Sequence, residues 1–255
     1  MQRLFNMKQR TAALAMRFGW FAFLMLGLWF VATGAVAQQR YLPRHLTDAQ
    51  RLVQQLNLKN TNYEHGPGRV VWEGVCESHT DCSGFIDALL MHSYGYNQDA
   101  FKRWFDSHRP TARRYHDAIV QGRGFSEIKS AAETLPGDIL AIKYLVEKSN
   151  TGHVMLVVDP PRRIEPREPL VPGTQQWQVT VIDSSNSGHG PTDTRHHLGV
   201  NGKDHDGLGQ GIFRIYTDRR GELAGFAWST LKASKFQTPE EEHLVIGRLK
   251  TNFTP

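Results

Sequence analysis

The stretch Asp81-Cys82-Ser83-Gly84-Phe85, with the apolar run that follows it to Met91, predicts the buried helix around which the chain is organised. The apolar positions that share one helical face are Phe85, Ile86, Leu89 and Leu90. A cysteine in the first helical turn has its thiolate favoured by the helix dipole and by free backbone N–H groups. Cys82 is therefore placed where a nucleophile would be, although a small buried cysteine that packs a helix on a sheet fits the same pattern.

The amino-terminal segment has the pattern of a secretory signal. It carries four basic residues and no acidic one, then an apolar run over residues 18–33, then Ala35-Val36-Ala37. This order predicts export to the periplasm with cleavage after Ala37. Because residues 18–37 are almost enough to span a bilayer, an uncleaved anchor facing the periplasm is the alternative. Contact with a membrane is expected only through this segment.

The remaining chain is expected to form one domain. Removal of the first 37 residues leaves 218 of 255 residues and takes away four basic residues, which lowers the formal net charge from +5 to +1. A chain of this length can bury one sizeable core, so we expect a monomeric domain over residues 38–255. The sequence has no basic stripe with interleaved aromatic residues, so nucleic-acid binding is not expected.

The two cysteines leave one question open. Cys76 and Cys82 could pair in an exported protein, since their six-residue spacing permits a disulfide between a loop and a helix start. Such a bridge would silence a nucleophile. The sequence contains neither a CxxC pair nor an HExxH motif, so we expect no metal site and no cofactor.

Further helical patterns flank the cysteine. Thr47 and Gln50 form a capping-box pattern that predicts a helix over residues 47–58. Residues 60–75 are predicted to be a loop, and Gly95 is expected to end the helix of Cys82. Two more helices are predicted at 99–107 and 111–120, as an insert over about 99–121.

The second half of the chain predicts strands. The turn at 135–138 is expected to begin the sheet, and 153–158 is predicted to be a central strand. The other predicted strands are 178–182, the hairpin of 212–217 with 223–229, and 244–249. The proline-rich residues 160–176 are expected to be a surface excursion. Helices first and strands second predict an α+β fold, in which the buried helix packs across an antiparallel sheet.

Cysteine-based acyl transfer requires an imidazole beside the thiolate and a polar group that orients the imidazole. His153 opens one predicted strand and Asp183 ends the next. If the two strands are antiparallel neighbours, the end of one lies beside the start of the other, so Asp183 can reach His153. The alternatives for the orienting role, all close to Asp183 in the chain, are Ser184, Asn186 and His189.

Three short motifs carry a family resemblance. Asp81-Cys82-Ser83-Gly84-Phe85, then Leu135-Pro136-Gly137-Asp138-Ile139, then Gly152-His153-Val154 resembles the signature of the NlpC-type bacterial cell-wall cysteine peptidases, which are papain-like enzymes. The resemblance covers about residues 60–185. It implies a papain-like fold and a thiol protease that hydrolyses an amide bond in the stem peptide of peptidoglycan, most often next to a D-glutamyl residue.

The resemblance also implies roles for particular residues. It makes Cys82 the nucleophile and His153 the general base, with Tyr63 at the oxyanion site and Ser83 near the substrate. Asp81 is expected beside the same site and also as the N-cap of the helix. Two alternative functions remain open. One is a papain-like amidase or acyltransferase acting on another exported amide, ester or lipid, and the other is a catalytically silent protein that binds the cell wall or a metal.

Two polar loop segments carry weaker signals. Residues 189–206 are rich in histidine and aspartate and could bind a divalent cation, but their spacing matches no known ligand pattern. Gly207-Leu208-Gly209-Gln210-Gly211 is only superficially similar to a phosphate loop, because a strand and not a helix follows it. We predict that this second segment is a turn.

Overall fold

Four helices lie in the described part of the chain, which in this computed structural model comprises residues 42–146, 150–250 and 252–255. Their bounds are α1 Arg44–Gln55, α2 Cys82–Tyr94, α3 Gln98–Phe105 and α4 Ala112–Val120. None of these described helices has the length and apolar character needed to cross a bilayer. The predicted signal or anchor segment lies outside the described residues.

The helix of Cys82 forms as its sequence predicts. The Asp81 carboxylate accepts a hydrogen bond from the backbone N–H of Gly84 at 2.7 Å and so caps the first turn. Gly95 ends α2 in the left-handed conformation, with φ at 70°. The four residues of the predicted apolar face, Phe85, Ile86, Leu89 and Leu90, are all 0% exposed. The helix packs against α1 and against two strands of the main sheet.

The strands form two sheets. The small sheet contains β1 Thr61–Asn62, β2 Arg69–Val71 and β3 Glu77–His79, in the order β1-β3-β2. The large sheet contains β4 Phe125–Ile128, β5 Ile139–Tyr144, β6 Gly152–Val157, β7 Arg162–Ile164, β8 Gln175–Ser185, β9 Gly207–Thr217, β10 Leu223–Ala227, β11 Phe236–Gln237 and β12 Glu242–Leu249.

The large sheet is antiparallel throughout its strand pairs. Its order is β11-β10-β9-β8-β6-β5-β12-β4, and β7 pairs with β8 beside this path. The strand β6 therefore lies between β5 and β8, with Leu156 opposite Ile182. The fold is α+β, with helices early in the chain and an antiparallel sheet after them, as predicted.

Residues of β5 and β6 alternate between two cores, as the two-residue period of a strand requires. Those that face the helices include Ile139, Ala141, Val154 and Leu156. Those that face the second core include Leu140, Ile142, Met155 and Val157. Both faces of the central strands are thus covered, and β6, which begins with Gly152 and His153, is packed on both sides.

The first helix begins three residues earlier than the capping-box pattern predicts. Pro43 precedes it without a side-chain cap, and the hydroxyl of Thr47 bonds instead to the carbonyl of Arg44 at 2.8 Å. The cause is a tertiary contact in the first turn. His45 is buried there, and its Nε2 lies 2.7 Å from the carbonyl oxygen of Gly137. That contact outweighs the local capping signal.

Three other sequence predictions are corrected. Residues 60–75 are not entirely loop, since β1 and β2 lie within them. The turn at 135–138 does not begin the sheet, because β4 precedes it and pairs with the last strand β12. The segment from Gly207 to Gly211 is not a turn. It is the first half of β9, paired with β8 from Ser185 to Val181.

The helical insert and the surface excursion take the predicted places. α3 and α4 lie within residues 99–121 to within one residue, and their junction reaches the site described below. The excursion at 160–176 is largely exposed, although it contains β7. The hairpin of β9 with β10 and the last strand β12 also form as predicted.

Candidate active site

Cys82 lies at the amino-terminal end of α2 and is 5% exposed. The first backbone N–H groups of a helix have no acceptor within the helix, and they carry the positive end of its dipole. Here the Asp81 side chain accepts the hydrogen bond from the N–H of Gly84. The N–H groups of Cys82 and Ser83, one and two residues earlier in the first turn, are not the ones that this cap engages. These groups favour negative charge at the sulfur and on an oxygen beside it.

His153 faces this cysteine from the start of β6. The side chain of Cys82 lies close enough to this ring to affect the pKa of His153, and the Nε2 of His153 lies 2.6 Å from Oδ2 of Asp183. Because Asp183 occupies Nε2, Nδ1 is the nitrogen left for the thiol. Burial by itself would lower the pKa of His153, but the negative charge of Cys82 and the hydrogen bond to Asp183 raise this pKa to about 10.

The approach of β6 to its neighbour requires the glycine before this histidine. Gly152 has φ at 141°, and a Cβ atom there would lie 1.8 Å from the carbonyl oxygen of Ile142. Only glycine adopts this conformation with so close a backbone contact. The Gly-His pair of the sequence motif therefore has a structural reason, since the glycine lets β6 begin against β5 and sets the direction of His153.

Asp183 is the residue that contacts Nε2 of His153, as the antiparallel arrangement of β6 and β8 predicts. The alternatives considered from the sequence have other contacts. Ser184 donates a hydrogen bond to the carbonyl of Thr80 at 2.6 Å, and Asn186 is exposed. His189 contacts Asp183, with its Nε2 at 3.2 Å from Oδ2. The sequence thus predicted the three residues that meet at the site.

A buried charge cluster behind Asp183 was not predicted. Arg195 is 0% exposed and is surrounded by acceptors from Asp183, Asp193 and Gly207. Burial would raise the pKa of Asp183, but the cations of Arg195 and His189 and the bond to His153 hold it well below its usual range. The carboxylate is therefore ionised beside the imidazole.

Trp228 was also not predicted to contribute to the site. Its ring packs edge-on against His153, with centroids 4.9 Å apart, and lies 4.5 Å from the ring of His189. Its carbonyl oxygen is 2.7 Å from Nδ1 of His189. No sequence motif marks this tryptophan, because it reaches the site only through the pairing of β9 with β10.

A pocket of about 370 Å³ opens above Cys82. Its lining is mostly polar and comprises Tyr63, His65, Asp81, Cys82, Ser83, Thr111, Ala112, Asn150, Thr151 and Gly152. Burial, and then the negative charges of Cys82 and Asp81, raise the pKa of Tyr63, so its hydroxyl stays protonated and can donate a hydrogen bond. The structure therefore brings together all the site residues predicted from the sequence.

The helical insert contributes to one wall of this pocket. Arg109, at the junction of α3 and α4, donates a hydrogen bond to Oδ2 of Asp81 at 3.0 Å, and His65 lies 3.3 Å from the same oxygen. The hydroxyl of Ser83 donates to Oδ1 at 3.1 Å. Asp81 is thus both the cap of α2 and a paired carboxylate at the pocket wall.

The other candidate features do not involve Cys82, His153 or Asp183 directly. Cys76 and Cys82 are both free thiols, and Cys76 lies 3.5 Å from Oε1 of Gln55. Within the loop at 189–206, ligand atoms of His196, His197 and Asp204 lie within 4.8 Å of one another. Hydrogen bonds inside that loop engage Nδ1 of both rings.

The fold and the site define an α+β protein in which a cysteine at a helix start faces a buried histidine–aspartate pair. A protein of Acanthamoeba polyphaga mimivirus, "Uncharacterized protein R653", is 34% identical over 224 residues, and the match covers 82% of this chain and 97% of the viral protein. The chain belongs to the same family as that protein. No family model matches the sequence. No solved structure matches it either.

Proposed function

We propose that this protein is an exported cysteine peptidase of the papain-like NlpC type, which hydrolyses an amide bond in the stem peptide of peptidoglycan. The observation that carries the proposal is the placement of Cys82 in a polar pocket beside His153, whose Nε2 is hydrogen-bonded to Asp183. A nucleophile, a base and an orienting acceptor in contact are the arrangement that acyl transfer through a thiolate requires.

The chemistry follows from the proton positions. The Cys82 thiolate attacks the amide carbon, and its S–C bond forms as the carbonyl oxygen takes up negative charge. His153 then gives the proton on Nδ1 to the leaving nitrogen, and the C–N bond breaks. Water attacks the thioester and returns a proton to His153, which releases the acid and the thiolate. Asp183 keeps Nε2 protonated throughout, because it accepts from that nitrogen at 2.6 Å.

The helix start supplies donors for the oxyanion. The N–H of Cys82 has no acceptor within α2, and its helix end is positive. The protonated hydroxyl of Tyr63 lines the same pocket. Together they would offer two hydrogen bonds where the negative charge develops, which is the largest single source of rate enhancement in such sites. Ser83 and Asp81 would contact the part of the substrate that lies over the first turn.

The papain-like architecture is supported by the order of the elements. The nucleophile begins a buried helix early in the chain, and the histidine opens a later strand of an antiparallel sheet that packs on this helix. The acceptor lies on the strand next to it, β8. This is the arrangement that the family resemblance implies.

The pocket supports a peptide as substrate over a lipid. Apart from Ala112, its lining carries hydroxyl, amide, imidazole or carboxylate groups or is a glycine or the nucleophile. Its volume lies at the low end of ligand sites, which suits one or two short side chains and not an acyl chain. The sequence motifs and the amino-terminal signal pattern make the peptidoglycan stem peptide the specific proposal.

The test is digestion of purified sacculi, followed by mass spectrometry of the products. The wild-type protein should release fragments with defined stem-peptide ends, and Cys82→Ala should release none while its circular dichroism is unchanged. Cys76→Ser is the matched control, because Cys76 is equally buried but bonds to Gln55 and not to His153. Equal product release by wild type and Cys82→Ala would exclude the proposal.

A further inference from the structure

We propose that Arg195 and His189 are positioning residues that act through Asp183, with one cation on each oxygen of its carboxylate. Arg195 holds Oδ1, and His189 lies against Oδ2, the oxygen that accepts from His153. The inference rests on the proposed function of the site, since positioning matters only if His153 serves the thiolate of Cys82. The geometry of the buried cluster supports it.

The guanidinium of Arg195 is held in one orientation by its hydrogen bonds. Nε donates to Oδ1 of Asp193 at 2.9 Å, and Nη2 donates to Oδ2 of Asp193 at 2.8 Å and to Oδ1 of Asp183 at 2.9 Å. Nη1 donates to the backbone carbonyls of Asp183 at 3.2 Å and Gly207 at 2.9 Å. Every N–H of the side chain has an acceptor, so the guanidinium cannot rotate without breaking a buried hydrogen bond.

Both Asp183 contacts of Arg195 act on the strand that carries the carboxylate. One fixes the backbone of β8 and the other fixes the side chain. Asp193 completes the arrangement, because it also accepts from the backbone N–H groups of His189 and Arg195, each at 2.8 Å. The loop that carries both cations is therefore tied to itself and to Asp183 by the same set of bonds.

His189 contributes the second cation. Its Nδ1 lies 2.7 Å from the carbonyl oxygen of Trp228, which can only accept, so Nδ1 carries a proton. Its Nε2 lies 3.2 Å from Oδ2 of Asp183 and has no hydrogen-bond partner of good geometry among the described residues. A lone pair aimed at a carboxylate in a buried site would be repelled, so Nε2 carries a proton too.

The charges of the buried cluster then sum to zero. In the thiolate–imidazolium state that the proposed function requires, the anions are Cys82, Asp183 and Asp193, and the cations are His153, His189 and Arg195. Each of the six residues is at most 6% exposed. A neutral His189 would leave one uncompensated negative charge in this core, which is a costly state. Both Arg195 and His189 are therefore needed to keep the cluster neutral when Cys82 and His153 form an ion pair.

The test measures the thiol, and so does not depend on the substrate. Iodoacetamide alkylation of each cysteine is followed by mass spectrometry across pH in wild type, Arg195→Lys, His189→Gln and His189→Leu. We expect Arg195→Lys and His189→Leu to slow alkylation of Cys82 at neutral pH about 10- to 100-fold, since the first weakens a charge-assisted hydrogen-bond set and the second removes a cation beside Oδ2 of Asp183. His189→Gln keeps a donor near Oδ2 and should recover part of the rate.

The matched control is Arg214→Lys. Arg214 is also 0% exposed, but it donates to backbone carbonyls of Ser229, Glu168 and Leu231 and contacts no residue of the cluster. This variant should lose stability and keep the wild-type alkylation rate of Cys82. Cys76 reports unfolding in every sample, because its buried thiol reacts quickly only when the core opens.

The outcomes separate the two proposals. The positioning roles are supported if the alkylation rate falls at Cys82 and not at Cys76, and if the NMR resonance of the proton between His153 and Asp183 is lost. Wild-type alkylation and the wild-type resonance in folded Arg195→Lys and His189→Leu overturn it. If Arg195→Lys unfolds, as shown by fast reaction of Cys76, the His189 variants decide. Failure of the wild type to cleave sacculi would contradict peptidoglycan as the substrate. It would not change the conclusion that the alkylation data give on Arg195 and His189.

Discussion

Asp183→Asn changes one oxygen of the buried carboxylate to an amide N–H₂ and removes its charge. Three cations then face a group with a single acceptor, since in the wild type Oδ2 lies against His153 at 2.6 Å and His189 at 3.2 Å, and Oδ1 accepts from Arg195 at 2.9 Å. If the remaining oxygen turns to Arg195, the amide N–H₂ points at Nε2 of His153. Nε2 must then lose its proton to accept from the amide, and the proton of the neutral ring lies on Nδ1. A protonated Nδ1 cannot accept the proton of the Cys82 thiol.

The expected losses are large because both contacts are buried and charged. Removing the buried negative charge that Arg195, His153 and His189 face should lower the free energy of unfolding by about 3–5 kcal/mol, because it leaves uncompensated positive charge in the core. Holding His153 in the wrong tautomer should lower kcat about 10²- to 10⁴-fold, as removal of the orienting carboxylate does in other hydrolases with such a triad. KM should change little, because Asp183 does not line the substrate pocket.

The assays are urea unfolding, peptide hydrolysis and the pH profile of Cys82 alkylation. Asp159→Asn is the matched control, since Asp159 follows the neighbouring strand β6 and is exposed. It should change neither stability nor rate appreciably. An Asp183→Asn protein that is folded, hydrolyses at more than a third of the wild-type rate and keeps the wild-type alkylation profile would refute the assignment of Asp183 as the orienting residue.

Three further predictions concern stability. Gly152→Ala should cost at least about 1–3 kcal/mol, because the residue has φ at 141° and the new Cβ atom meets the carbonyl oxygen of Ile142; an unchanged Tm would contradict this. Arg248→Met should cost about 1–3 kcal/mol, because Arg248 donates to both carboxylate oxygens of the buried Asp138 at 2.8 Å; chemical denaturation tests it. The raised pKa of His153, about 10 against 6.5, gives stability that is complete below pH 6.5 and is lost as the pH rises through 10. Urea unfolding between pH 6 and 10.5 should show this slope in wild type and not in His153→Ala.

The sequence predicts most of what is local. The helix of Cys82 has its cap at Asp81, its apolar face and its terminal glycine within fifteen residues of chain, so each signal is read without knowledge of the fold. The contact of His153 with Asp183 was also predictable, because two consecutive long strands in an α+β chain are commonly antiparallel neighbours. The site residues that the sequence identified are those that such rules reach.

The residues that were missed depend on pairing between distant parts of the chain. Among the described residues, strand β4 pairs with β12, which lies more than 110 residues further along the chain. Arg195 lies in a polar loop, where a charged side chain is usually exposed. Its burial is possible because acceptors from β8, β9 and its own loop surround it. No pattern within the loop shows that these acceptors will be there.

The misreading of Gly207 to Gly211 has the same cause. Glycines at alternate positions weaken a strand and suggest a turn. In β9 they lie on one face, and a Cβ atom at Gly209 would come within 2.5 Å of Arg195, while one at Gly211 would come within 2.2 Å of Asp193. This segment remains a strand because β8 pairs with it along its whole length, from Ser185 to Val181. The missing side chains make room for the buried charges, so the feature that lowers the local strand propensity is the one that allows Arg195 to reach Asp183.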